Sequence, residues 1–391
     1  MKKIILTCWF SVIMLLSMSG QELTSSSQVS ILTCGPGQEL YALFGHTAIR
    51  VWDPAQRIDK VYNYGLFDYS KPNFMFDFVR GETQYMLGAT TYGRFLREYE
   101  YYKRYVYEQI LDLDLDKRNE FYQFLENNLK PENREYLYNF FYDNCSSRVK
   151  EGIEDHLPDF TYQDVPSRAV TYRQLLDEYT IGREWTDFGI DLIIGEPGDS
   201  IANHEAQMFL PEYVMAHLRR LKSPDGRSVV KHEQSVLIFD RIKGESWWVT
   251  PKLVFSILLL LEFLMFIFPK SFHRKFVKVY DLSWFVVVSL ASLLLLFMWT
   301  TKHNACHDNW NLLWLSPLFI PFSILQFSKT GDWNRRVGIS VLGMLILTLL
   351  FWSWWPQRLP ETAILIIGLL FFKVLRNSLR KTIDIRDYLQ R

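Results

Sequence analysis

Cys145 and His46 are the two side chains whose settings set them apart. Cys145 follows Asp143-Asn144, two good capping residues, and opens a stretch, Ser146–Leu157, with helical character. A helix start carries partial positive charge, which favours a thiolate over a thiol. The competing assignment is a Cys34–Cys145 disulfide, which an oxidising compartment permits. His46 stands at the start of an apolar strand-like run, Phe44-Gly45-His46-Thr47-Ala48-Ile49-Arg50-Val51. Gly45 leaves room for another backbone or a ligand to come close. His156, His204, His217 and His232 lie in charged stretches and read as surface residues. A thiol nucleophile needs a base, and the base needs a third group to orient it. If a tight turn at Pro54-Ala55 joins two strands, Asn63 falls opposite His46; a loop one residue longer puts Tyr64 there. There is no metal-ligand pattern, no Gly-rich phosphate loop and no Gly-x-Ser-x-Gly elbow, so no cofactor is expected.

The elements that must hold these groups are short. Val29–Leu32, His46–Trp52 and Val61–Tyr64 read as strands ended by Gly35-Pro36-Gly37, Asp53-Pro54 and Gly65. Gln109–Leu115 alternates like a strand and Asp116–Asn128 has helical spacing. Tyr92–Tyr107, aromatic and basic, fits helix or strand. Tyr213–Leu221 reads as a helix opened by Leu210-Pro211-Glu212, and Thr24–Ser27 as a polar linker.

Both ends of the chain point to a membrane. Met1-Lys2-Lys3, the apolar run Ile4–Leu16 and the small residues before Gln21 have the form of a secretory signal, residues 1–20. Five apolar runs fill the C-terminal third: Leu253–Phe268, Leu282–Trp299, Leu312–Phe327, Val337–Trp355 and Thr362–Leu375. The third is broken by Pro317 and Pro321. The zero net charge conceals two opposite halves. From Lys252 onward there are 16 basic and 7 acidic residues, so the first 251 residues carry the matching acidic excess. Basic residues crowd the first and third connections and the tail, and basic loops stay cytoplasmic. Residues 21–247 are therefore expected outside, 248–375 in the membrane, and 376–391 as a basic cytoplasmic tail. Tryptophans at Trp247-Trp248, Trp299, Trp310, Trp352, Trp354 and Trp355 suit an interfacial belt. Glu262, mid-span, should face other helices. An acidic polar half excludes nucleic acid as a partner.

The blocks Leu32-Thr33-Cys34-Gly35-Pro36-Gly37, Phe44 to Val51, Val61-Tyr62-Asn63-Tyr64-Gly65-Leu66-Phe67-Asp68 and Asn139 to Arg148 resemble the signature of the Lnb family of lipoprotein N-acyltransferases. His303 through Leu313 is similar to a polar external loop of that family. The resemblance implies an α+β extracytoplasmic domain of permuted papain-like, NlpC-like fold, followed by an all-α transmembrane bundle of about five helices. It implies Cys145 as nucleophile and His46 as base; the third polar residue varies among permuted members, where His, Asn or Asp can serve, and Asn63 is the candidate that strand pairing offers here. Asn144, Arg148, Tyr64, His303 and Asn309 go with this reading as substrate-binding side chains. The implied partners are a phospholipid acyl donor, a diacylated lipoprotein acceptor and the inner membrane. The competing readings are an NlpC-type peptidase or amidase acting on cell-wall peptides, and a non-catalytic membrane binding protein with Cys34 and Cys145 joined.

Overall fold

The computed structural model describes residues 21–157, 159–163, 169–242, 244, 248–327 and 331–389. The expected signal at residues 1–20, Trp247 and the last two residues of the tail lie outside them.

The N-terminal half is built on a seven-stranded antiparallel sheet. Its strands are β1 (Gln28–Cys34), β2 (His46–Asp53), β3 (Ile58–Leu66), β4 (Gln84–Thr91), β5 (Val106–Leu111), β6 (Glu135–Leu137) and β7 (Val230–Leu237), in the order β7-β5-β1-β2-β3-β4-β6. Alternation assigns the two faces. Val29, Ile31, Ile49, Val51, Tyr62 and Tyr64 pack on the helices α3 (Leu115–Asn128) and α4 (Cys145–His156). Leu32, Cys34, Ala48 and Val61 pack on α2 (Tyr92–Tyr101), which follows the short α1 (Phe74–Arg80). The aromatic segment Tyr92–Tyr107 is thus both helix and strand, with Arg104 between. Thr24–Ser27 is not a loose linker: Thr24 donates from its N–H and hydroxyl to the Asp53 carboxylate, 2.6 and 2.9 Å, and Ser27 is buried.

The loop joining β2 to β3 decides the register. It spans Pro54 to Arg57, four residues with Arg57 in the left-handed region, and pairs Asp53 with Ile58 and Ile49 with Tyr62. The expected two-residue turn is therefore two residues too short. A shift of two keeps side chains on the same face, whereas a shift of one reverses them. Asn63 stays on the His46 face, and Tyr64 goes to the other.

Helices α5 (Tyr172–Thr180), α6 (Glu184–Ile193) and α7 (Pro211–Leu218) complete this half. The C-terminal region is helical: α8 (Pro251–Ile267), α9 (Arg274–Trp299), α10 (Phe319–Leu325), α11 (Gly331–Leu350) and α12 (Ala363–Leu389). Two of these, over Arg274–Trp299 and Asp332–Leu350, are long and apolar enough to cross a membrane. The proline-broken run is a 3-10 turn at Trp310–Leu313 and the seven-residue α10. Glu262 is fully buried, as expected, and meets Lys373 at 2.8 Å and Arg376 at 2.5 Å. Both cations also engage Asp281 on α9. The expected break at residue 375 is absent: α12 runs through it, and Arg376 belongs to this buried cluster rather than to an exposed tail.

Candidate active site

Local sequence fixes the start of the helix that carries Cys145. Asn144 Oδ1 accepts from the N–H groups of Ser146 and Ser147, 2.8 and 3.0 Å, and the Ser147 hydroxyl accepts from the Asn144 N–H at 2.8 Å. This is a capping box. The Asn144 amide nitrogen donates to the carbonyls of Phe140 and Phe209, both 2.8 Å. All its hydrogen-bonding capacity is spent on holding the helix start, so Asn144 positions Cys145 and leaves nothing to offer a substrate.

The helix end abuts the point where β2 and β3 part. Thr47 Oγ1 and Ser146 Oγ are 2.9 Å apart, and the Thr47 N–H reaches the Cys145 sulfur. On β3, a bulge after Asn63 brings Gly65 against Cys145; a Cβ at Gly65 would lie 3.6 Å from that of Cys145. At the start of β2, Gly45 has φ +83, and a Cβ there would fall 2.7 Å from the Cys34 carbonyl oxygen. The room that a glycine leaves is filled by the β1 backbone, and His46 follows immediately.

Cys145, His46 and Asn63 come together. His46 Nε2 lies 3.2 Å from Asn63 Oδ1. An amide oxygen only accepts, so Nε2 carries the proton and Nδ1 remains for the thiol. Cys145 and His46 are hydrogen-bonded and shift each other's acidity. Burial alone pushes the Cys145 thiol up, but the His46 charge and hydrogen bond, the Thr47 N–H and the Ser146 hydroxyl together bring it below the ordinary thiol value. Burial pushes the His46 imidazole down; the Cys145 charge and hydrogen bond, with help from Asn63 and against the Arg104 guanidinium, leave it raised. Both shifts act in the direction of a thiolate–imidazolium pair.

Cys34 and Cys145 are both free thiols. Cys34 pairs with His46 across β1 and β2 and is wholly buried, which pushes its thiol up to about 12. Its surroundings disfavour the thiolate, where those of Cys145 favour it.

Four other expected site residues are placed elsewhere. Tyr64 is buried on the opposite sheet face, its hydroxyl accepting from Asn128 at 3.2 Å. Arg148 is held by Asp143 and lies 4.2 Å over the Tyr136 ring. His303 Nε2 is 3.0 Å from the Phe78 carbonyl oxygen on α1. Asn309 is buried and donates to the carbonyls of Leu192 and Ile193, 2.8 and 3.0 Å. The His303–Asn309 loop is tied at one end to α1 and at the other to the end of α6. Sequence reasoning missed Thr47, Ser146 and Arg104. The first two lie inside the quoted motifs, and a hydroxyl beside each candidate catalytic residue was the available signal. Arg104 gave none, being one basic residue in an aromatic run; its Nε donates to the Gly35 carbonyl at 2.7 Å.

Among the described residues no group of three or more His, Cys, Asp or Glu side chains could hold a metal ion. Residues 20–178 match a family described as the Lnb N-terminal periplasmic domain, and residues 243–383 one described as the Lnb transmembrane domain. Neither a curated protein nor a solved structure matches the chain.

Proposed function

This chain belongs to the Lnb family and is a membrane protein with a periplasmic domain, and on that premise we propose that it is a thiol acyltransferase that N-acylates lipoproteins. Family membership suggests a membrane-associated lipoprotein-modifying enzyme; the specific chemistry is read from the site. The single observation that carries it is the Cys145–His46–Asn63 constellation at a capped helix start. The order of a His strand before a Cys helix, packed on an antiparallel sheet, supports the permuted papain-like reading.

The Cys145 thiolate attacks the ester carbonyl of a phospholipid, and the carbonyl electron pair moves onto oxygen. The Ser146 and Ser147 N–H groups are taken up by Asn144, whereas the Cys145 N–H has no partner among the described residues and is the donor left for that oxyanion. Collapse of the intermediate breaks the ester bond. His46 gives its proton to the departing lysophospholipid oxygen, and a thioester remains on Cys145. The free amine of a diacylglyceryl-cysteine then attacks the thioester, His46 accepts its proton, and the thiolate leaves as the amide forms. An α-amino group with a pKa of about 7.7–8.0 is partly neutral at pH 7, so a weak base suffices. Both substrates reside in membranes, which fits five passes over residues 248–375 in the inner membrane with residues 21–247 in the periplasm.

The test is to incubate the full chain with phospholipid and a synthetic diacylated lipopeptide. The expected product is triacylated lipopeptide plus lysophospholipid. Free fatty acid without triacylated product rejects the transferase reading and favours a hydrolase, the NlpC-type peptidase or amidase alternative included.

A further inference from the structure

The short helix α1 presents an apolar surface that the catalytic reading does not use. Met75 is 67% exposed and Phe76 59%, with Phe78 and Val79 exposed beside them. Four neighbouring apolar side chains left open on one short helix mark an interaction surface. Its place in the fold says what covers it. The Lys302 N–H donates to the Arg80 carbonyl at 2.9 Å, and His303 holds the Phe78 carbonyl. Lys302 also lies 3.7 Å from Glu82. Thr300 to His303 follow directly on Trp299, the last residue of α9, which is long and apolar enough to cross a membrane. α1 therefore sits at the outer end of a membrane helix. Arg80 and Lys302 are cationic and flank the exposed apolar side chains of α1, the composition of a helix that lies in a membrane interface.

The inner side of α1 leads to the thiol. Phe74 is buried and stacks on Phe67 with ring centroids 5.6 Å apart, and Phe67 meets Tyr85 at 5.1 Å. Phe67 is two residues beyond Gly65, which lies against Cys145. Phe67 and Cys145 both pack against the same buried cluster, which includes Tyr85, so apolar side chains lie between α1 and the thiol.

We propose that α1 is an interfacial helix that lies in the outer surface of the membrane and admits phospholipid acyl chains toward Cys145 past Phe74 and Phe67. The occupant of its exposed face is lipid. The inference rests on the helices after residue 250 lying in a membrane and deepens the acyltransferase reading by naming where the donor engages.

The test uses the full chain in vesicles of phosphatidylethanolamine and phosphatidylglycerol, with photoreactive benzoylphenylalanine at Phe76 and, as a control, at the exposed Glu120 of α3. Mass spectrometry should find a lipid adduct from position 76 and none from position 120. A cross-linked pair of chains from position 76, or no lipid adduct there, overturns the proposal. A second arm replaces both Met75 and Phe76 by Asp. The KM for vesicle-borne phospholipid should rise about tenfold or more, as loss of interfacial anchoring predicts; a folded variant with unchanged KM also overturns it. Failure of the acyltransferase reading is separable: the lipid adduct at position 76 would persist while no triacylated product forms.

Discussion

On the proposed mechanism Cys145 and His46 act as one unit, and their separate removal should show it. Cys145→Ala is expected to cut turnover by at least about a thousandfold, and His46→Ala nearly as far, because a nucleophile and its base fail together. Circular dichroism should report both chains folded; retained turnover in Cys145→Ala would refute the assignment. Asn63→Ala leaves base and nucleophile in place and should cost less than His46→Ala. The pH dependence follows from the signs of the two shifts. The thiol is lowered, so the thiolate survives to lower pH than in an ordinary cysteine, whose pKa is about 8.5. The imidazole is raised, so its proton is kept to higher pH than usual and is lost only above that raised value. Alkylation of Cys145 by iodoacetamide should therefore persist to lower pH than that of an ordinary cysteine, and His46→Ala should move its midpoint upward. A wild-type midpoint at the ordinary thiol value would show that no ion pair forms. At this scale the sequence was legible in an instructive way. Asn63 was reached through the wrong turn, yet the two-residue error preserved strand parity. Tyr64 was lost because its alternative required an odd shift, which sends a side chain into the core.

Elements carry the next prediction. Asn144 ties the α4 start to Phe140 and Phe209 as well as to its own first turn. Asn144→Ala should lower stability by about 1–2 kcal/mol for the lost cap alone, with more from two carbonyls left unpaired. A thermal melt reads this, and Asn144→Asp should recover part of it by keeping the oxygen that accepts from Ser146 and Ser147. The cap was readable because capping is local: the residues that satisfy the helix start sit beside it in the chain. The external loop was not, because Asn309 finds its partners on Leu192 and Ile193, more than a hundred positions away. Polar residues in a loop look the same in a sequence whether water or a distant carbonyl satisfies them. α1 escaped notice for a related reason. Seven residues are too few for a helical period to declare itself, and its apolar content matched nothing nearby.

Over the whole molecule, the opposed charge of the two halves was visible from composition, but the way cations are used was not. Lys373 and Arg376 look like the start of a cytoplasmic tail, yet they neutralise Glu262 and Asp281 inside the helix bundle. Glu262→Gln should destabilise by about 3–5 kcal/mol, since it strands buried cations without their full counter-charge; unfolding in detergent measures it. The topology makes a separate prediction. Lys302→Cys, exposed on the loop after α9, should react with a membrane-impermeant maleimide in intact cells, in a background lacking the native thiols. Lys275→Cys, exposed at the other end of the same helix, should react only after permeabilisation. Labelling of both from outside would break the proposed arrangement.

Gly195 lies so close to the loop after α9 that a Cβ on it would fall 1.8 Å from the His307 carbonyl oxygen. Its N–H donates to the Ala305 carbonyl, and Arg358 grips Asp177 nearby. Backbone is seated on backbone, so the N-terminal half is fastened directly to the loop after α9. On the proposed arrangement the Cys145 sulfur would keep a constant altitude over the bilayer, and a lipoprotein acceptor would have to supply the mobility. A lipoprotein whose folded body begins too few residues after its lipidated cysteine would collide with the enzyme before its amine arrived. On the proposed function, the length of the flexible stalk on the acceptor would become a selection rule written by one missing methyl group.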